Sequence, residues 1–267
     1  MSESALQAQI TAAKACEEFF VPALFGEWAP RLAAIAQIQA GNHVLDVACG
    51  TVVLAREAAS RVGPSGFVAG VDPSPGMLAV ARALAPRIGW RDAKAEALPY
   101  PDQCFDAVVS QFGLMFFTDR GQALHEMQRV LKRGGHLAVA VWASLESAPA
   151  YAAEVDLFER LAGKPAADAL RAPFVLGDPK ELAQLVSRAG VEDVTVTTRR
   201  GEARFPSIRF MVEADLRGWL PLMGVVLTED QIHQILKEAE HALGAYVTAG
   251  GTTACGTAAH LVTGRKS

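Results

Sequence analysis

Short apolar runs alternate, through the first half of this chain, with stretches in which apolar residues recur every three or four positions. The run Val44-Leu45-Asp46-Val47 ends at the small residues Ala48-Cys49-Gly50-Thr51, and Leu54, Ala55, Ala58, Ala59 and Val62 then follow at helical spacing. That sequence predicts a strand, a tight loop and a helix start. Phe67 to Val71 reads as a buried strand closed by Asp72, and Leu78, Ala81 and Leu84 mark the helix after it. Ile88 to Arg91 and Phe105 to Ser110 predict strands three and four. Thr118 is the expected cap of a helix with the stripe Leu124, Met127, Val130 and Leu131, broken by Gly134-Gly135. Leu137 to Trp142 supplies strand five. Strands alternating with helices predict an α/β fold around a doubly wound parallel sheet.

The flanks read differently. Residues 5 to 40 are expected to be helical, with Phe19, Phe20, Leu24, Phe25 and Trp28 forming an aromatic cluster broken by Pro22 and Pro30. Such a cluster serves either as a helix pair packed on the sheet edge or as a partial lid, with Trp28 and Phe25 the lid candidates. Residues 150 to 172 predict one or two helices, and Asp178 with Glu181 forms a capping box ahead of Leu182, Leu185, Val186 and Ala189. Val191 to Thr198 alternates as a strand. Residues 206 to 250 are helical again, with a capping box at Thr228 and Gln231, and Thr257 to Thr263 gives a last strand. The expected organisation is one domain over 1–267, a helical lid at about 1–40, and helical cap insertions at about 147–175 and 206–250.

Composition narrows the class. The 267 residues, 51% hydrophobic and 20% charged, suffice for a substantial core. A net charge of −4 offers no general attraction to nucleic acid. No apolar run approaches the roughly 18 residues of a membrane span, and Met1-Ser2-Glu3-Ser4 lacks a basic leader region. The cytoplasm is therefore the expected compartment. Cys16, Cys49, Cys104 and Cys255 are scattered without metal-ligand spacing, so no metal is expected and the thiols read as small buried hydrophobes.

The loop after the first strand sets the chemistry. A dinucleotide site wants G-x-G-x-x-G, and here Ala48, Gly50 and Val53 occupy the glycine positions, one match in three. Asp46 also places a negative charge beside the loop, which repels a diphosphate and suits a ligand carrying an ammonium and a sulfonium. Asp72, at the end of the second strand, can accept from both hydroxyls of a ribose. Its competing use as a helix cap is already filled by Ser74.

Val44-Leu45-Asp46-Val47-Ala48-Cys49-Gly50-Thr51 resembles motif I of class I S-adenosylmethionine-dependent methyltransferases, in the branch similar to the ubiquinone and menaquinone C-methyltransferases (methyltransferase type 11). The resemblance continues through Val71-Asp72-Pro73-Ser74-Pro75-Gly76-Met77-Leu78 and Ala97-Leu98-Pro99-Tyr100-Pro101-Asp102-Gln103-Cys104-Phe105-Asp106, and closes with Arg129-Val130-Leu131-Lys132-Arg133-Gly134-Gly135-His136. It implies a seven-stranded sheet of order 3-2-1-4-5-7-6 with the last strand antiparallel, and S-adenosyl-L-methionine as cofactor. It further implies Asp46, Ala48, Cys49, Gly50 and Thr51 around the amino-acid moiety, with Asp72 and Pro73 at the ribose. Met77, Lys94, Ala95 and Glu96 fall near the adenine, and Ser110 and Gln111 near the sulfonium. Phe112, Leu114 and Met115, with Phe25, would wall the acceptor pocket, whereas Phe116 and Phe117 read as core.

Two residues depart from the pattern. Lys94 stands where an aspartate usually meets the adenine amino group, and a lysine has no acceptor to offer. Val52 stands where the family commonly has glycine, and its branched side chain is expected beside the cofactor.

The expected reaction is in-line methyl transfer to a small, partly hydrophobic acceptor, which needs alignment and exclusion of water more than a catalytic base. Accordingly no catalytic residue is singled out. His233, His241 and His260 read as structural, and His125 and Glu126 as solvated. Two rivals share the sheet: a catalytically silent protein that binds the cofactor or its product S-adenosylhomocysteine, and an NAD(P)-dependent oxidoreductase. Nucleic acid is not an expected partner, and the oligomeric state is open, with a homodimer among the options.

Overall fold

Val44, Leu45 and Val47 are buried completely, as a strand covered on both faces by helices requires. In the computed structural model, which describes residues 3–267, they lie on β1 (His43–Val47) at the centre of a seven-stranded sheet. The other strands are β2 (Phe67–Asp72), β3 (Gly89–Asp92), β4 (Phe105–Gln111), β5 (Leu131–Trp142), β6 (Glu192–Phe205) and β7 (Thr253–Arg265). Their order is 3-2-1-4-5-7-6; the first five are parallel, and β7 runs antiparallel to both β5 and β6. This is the expected topology.

The helices are α1 (Glu3–Ala15), α2 (Trp28–Ile35), α3 (Val53–Val62), α4 (Pro75–Leu84), α5 (Arg120–Val130), α6 (Pro149–Ala162), α7 (Lys164–Arg171), α8 (Pro179–Arg188), α9 (Ile208–Ala214), α10 (Leu220–Leu222) and α11 (Glu229–Ala242). Two wider π-helical segments, Cys16–Phe25 and Asp215–Trp219, follow α1 and α9.

Several local expectations shift. Pro22 sits inside the first π segment and Pro30 in the first turn of α2, so neither breaks its helix. A first-turn proline forfeits only an amide that has no helical partner. Asp119 rather than Thr118 caps α5, accepting from the Gln122 amide at 2.9 Å. Leu131 opens β5 instead of closing α5, and Gly134 and Gly135 lie within that strand. Asp178 caps α8 through the Lys180 and Glu181 amides, and the capping box at Thr228 and Gln231 is present. Strands β6 and β7 run longer than their hydrophobic alternation. Edge-strand residues such as Arg199, Arg200 and Glu202 are solvated, so the periodicity stops before the hydrogen-bonded ladder does.

Helices α6 and α7 follow β5, and α9 to α11 lie between β6 and β7.

Candidate functional site

Every side chain of the site sits at or beyond the carboxyl ends of the parallel strands, where an open α/β sheet forms its ligand crevice. The loop after β1 turns sharply: Ala48, Gly50 and Val52 all have positive φ, at 57°, 53° and 86°. The Gly50 amide donates to Asp72 Oδ2 at 3.0 Å, and the Ser74 amide donates to Asp72 Oδ1 at 2.8 Å. Asp72 is thus the post to which the loop and the start of α4 are both tied. Burial raises its carboxyl above the ordinary range, and those two amides pull it part of the way back. A Cβ added at Gly50 would meet nothing, because that face of the loop opens into a cavity.

The cavity holds about 490 Å³. Ala48, Cys49, Gly50, Thr51, Asp72, Pro73 and Met77 line it, as do Lys94, Ala95, Glu96, Gln111, Phe25 and Phe112. Gln111 donates through Nε2 to the Phe25 carbonyl at 3.1 Å, which leaves its amide oxygen buried without a partner. Glu96 accepts from the Thr118 and Asp119 amides, so it braces the loop before α5. Burial drives the Cys49 thiol well up, with Asp46 and Asp72 adding to the shift, so it is a neutral apolar wall and not a nucleophile.

Five of the residues singled out do not reach the cavity wall. Trp28 is wholly buried, edge-on to both Phe112 and Trp142, and is core rather than lid. Leu114 and Met115 are buried behind the wall they were expected to form. Ser110 is fully buried with an unpartnered hydroxyl. Asp46 lies beneath the loop, 1% exposed, with no well-formed hydrogen bond to either oxygen. Burial and then the Asp72 charge push its carboxyl far up, so it is not the fixed negative charge beside the loop that the sequence suggested.

Val52 is another correction. It takes the left-handed conformation expected of glycine, but its side chain is fully buried and absent from the cavity wall. The valine packs into the core under the loop and does not crowd the ligand space. Phe116 and Phe117, read as core, are instead cavity residues, and Phe116 is 43% exposed. Glu126, read as solvated, is buried and accepts from the Leu98 amide at 2.8 Å, while Arg129 clasps it at 2.6 Å and draws its carboxyl below the usual range. His125 is exposed, as are His233 and His241 on α11. His260 is held between the Gly177 carbonyl and the Thr198 hydroxyl, each at 2.9 Å, which is a structural role.

The far half of the cavity was not legible in the sequence. Phe112 stacks on Trp142 at 3.9 Å and 10°, and Phe116 meets Trp219 at 5.4 Å. Beyond these aromatics lie Tyr151 from α6, Asp215 from the second π segment and Thr257 from β7. Each is buried and carries an oxygen without a hydrogen-bond partner: Tyr151 OH, Asp215 Oδ2 and Thr257 Oγ1. Glu154, one helical turn after Tyr151, is completely buried with both oxygens unpartnered. The strand order sets the dimension of the site. Lys94 follows β3 and Thr257 lies on β7, five strand intervals away, or about 24 Å at roughly 4.8 Å per strand.

Among the described residues no helix is long and apolar enough to cross a membrane, and no cluster of His, Cys, Asp and Glu has the makings of a metal site.

Comparison with known proteins agrees with this geometry. Residues 45–139 match the family model described as a methyltransferase domain. The chain is 47% identical over 108 residues to the ubiquinone/menaquinone biosynthesis C-methyltransferase UbiE of Hahella chejuensis, covering 38% of this chain and 43% of that protein. It is 41% identical over 118 residues to UbiE of Xylella fastidiosa, covering 42% and 47%. The chain thus spans under half the length of these curated relatives. Among solved structures, the YcgJ protein of Bacillus subtilis superposes with a TM-score of 0.59 at 19% identity, over 90% of this chain and 98% of that one. Phosphoethanolamine N-methyltransferase 2 of Haemonchus contortus, in complex with S-adenosyl-L-methionine, gives 0.60 at 16% identity, over 96% and 57%. At such identities the likeness establishes the fold.

Proposed function

We propose, on the premise that residues 45–139 are a methyltransferase domain of the class I, S-adenosylmethionine-dependent kind, that this chain transfers a methyl group to a small, largely apolar acceptor enclosed in its cavity. The observation that carries the reading is the pairing of Gly50 with Asp72. One amide–carboxylate bond fixes the loop, while the missing Cβ of Gly50 leaves open space in front of it.

The residues present suit the cofactor. Asp72 has lone pairs left for two ribose hydroxyls, since each oxygen accepts a single amide. Ala48 to Thr51 offer a curved backbone to the amino-acid tail, and Asp46 lies buried below them with both carboxyl oxygens unpartnered. Ala95 and Met77 flank the place for the adenine, where Lys94 supplies aliphatic stem and not an acceptor. The unpartnered Gln111 carbonyl is available to a sulfonium. When bound, S-adenosylmethionine supplies a methyl carbon already activated by its positively charged leaving group.

What the chain contributes is placement. Phe112 and Trp142 form a flat wall, and α1 with the π segment Cys16–Phe25 covers the cavity from above. A largely apolar cavity holds the acceptor in line and limits the water that can compete. Isothermal calorimetry tests the reading directly. S-adenosylhomocysteine is expected to give a binding isotherm that NAD and NADP do not, and equal binding of a dinucleotide would reverse the assignment.

A further inference from the structure

The cavity continues past the space that a cofactor spanning β2 to β4 would fill, and its end is polar in a particular way. Tyr151 and Glu154 share one face of α6, Thr257 projects from β7, and Asp215 opens the π segment that α9 runs into. A π turn carries an extra residue, which aims side chains off the regular helical register and recurs at functional sites. Here it delivers Asp215 into the cavity. None of Asp215 Oδ2, Tyr151 OH and Thr257 Oγ1 has a partner, although each side chain is more than nine-tenths buried. An unpaired buried polar atom costs about 1–3 kcal/mol, so three at one wall of a cavity mark a place where a ligand completes the hydrogen bonding.

We propose that this wall is an amine subsite: the acceptor carries a protonated amino group that donates to Asp215, Tyr151 and Thr257 while its apolar body lies against Phe116 and Trp219. The assignment rests on the methyltransferase reading above and adds to it the class of acceptor. Charge and donor number together select the amine. An ammonium brings three donors and no acceptor, and three oxygens await it. A neutral hydroxyl can donate to Asp215 and accept from the two hydroxyls, but it brings no charge to offset an ionised carboxylate. A carboxylate or phosphate would find no cation on this wall to pair with, since Lys94 lies at the β3 end of the cavity.

The electrostatics point the same way. Lys94 is the one basic side chain among the described residues that line the cavity, and it lies at the β3 end. The charges acting on Tyr151 and Glu154 are acidic, and burial pushes Asp215 up to about 8. The protein itself thus provides no cation for this wall, and a ligand that brings one lets both carboxyls ionise.

The test uses the full chain saturated with S-adenosylhomocysteine and two isosteric pairs, 2-phenylethylamine with 2-phenylethanol and tryptamine with tryptophol, titrated by calorimetry at neutral pH. At least one amine is expected to bind about tenfold or more tightly than its alcohol. Asp215→Asn is expected to bring each pair within about threefold while leaving S-adenosylhomocysteine binding intact. Alcohols that match their amines, a preference that survives Asp215→Asn, or no amine binding at concentrations on the order of 10 mM would each overturn the subsite. Should Asp215→Asn fail to fold, Tyr151→Phe with Thr257→Val replaces it. That pair must cut the preference by about threefold or more, and an unchanged preference overturns the proposal. Absence of heat from S-adenosylhomocysteine with the wild-type chain is a separate failure, which removes the methyltransferase reading itself.

Discussion

The Gly50 amide stands 3.0 Å from Asp72 Oδ2, so the loop that follows one strand is held by the carboxylate that ends the next. Because β1 and β2 pair in parallel with Val47 opposite Val71, the two strand ends finish level and the bond needs no detour. Replacing Asp72 by Asn keeps the shape but halves the acceptor capacity and removes the charge. Asp72→Asn is expected to weaken S-adenosylhomocysteine by about ten- to a hundredfold, or roughly 1.4–2.7 kcal/mol. Calorimetry on the variant and on wild type checks this, and a change under twofold would remove Asp72 from the ribose role.

Val52→Gly separates loop strain from ligand contact. A valine at φ 86° costs roughly 1–2 kcal/mol in the left-handed region. Its fully buried side chain returns about 1.5–3 kcal/mol, and glycine adds its own entropic cost of about 0.5–1 kcal/mol. Burial wins, so Val52→Gly is expected to destabilise the fold by about 1 kcal/mol in urea unfolding. Affinity for S-adenosylhomocysteine should stay within about twofold, since the side chain faces away from the cavity. A large loss of affinity would return Val52 to the ligand wall.

Phe116 is 43% exposed in spite of its size, and it leans on Trp219 at 5.4 Å. Truncation there leaves little core void, so stability should fall by under about 1 kcal/mol. Phe116→Ala is expected to raise the acceptor's KM by about tenfold with S-adenosylhomocysteine binding unchanged. Parallel losses of both would place Phe116 at the cofactor instead.

What the sequence makes legible follows from sequence distance. The loop and Asp72 are consecutive strand ends, so a local pattern of apolar run, small residues and acid reveals them. Arg129 is in a segment that reads as motif, and its reason emerges only in space, where it clasps Glu126 and reaches the Leu98 and Tyr100 carbonyls that pin the loop after β3. Tyr151, Asp215 and Thr257 come from three elements far apart in the chain, joined by the antiparallel β5–β7 pairing and the helices between β6 and β7. No local periodicity signals such a meeting. Aromatic runs mislead for a related reason: Phe116 and Trp28 look equally apolar in sequence, and only packing makes one a cavity wall and the other core.

Asp215 should leave a mark on stability whose sign is fixed. Its folded carboxyl is raised from 3.8 to about 8 by burial, with Glu154 also driven up. The native state therefore keeps protons that the unfolded chain releases, so stability falls as pH rises from about 4 towards 8, by up to about 1.4 kcal/mol per pH unit for each group. Below about pH 4 both states are protonated and the penalty disappears. Asparagine does not titrate, so Asp215→Asn lacks this share of the slope. Asp46, raised in the same direction, is common to both proteins and cancels in the comparison. In urea unfolding without ligand, Asp215→Asn is expected to be more stable than wild type at about pH 8.5, with the gap closing near pH 4. Adding S-adenosylhomocysteine with an amine that fills the subsite should narrow the gap at high pH, because the ammonium stabilises only the ionised wild-type carboxyl. A gap that is independent of pH would mean that Asp215 is not the group held protonated by the fold.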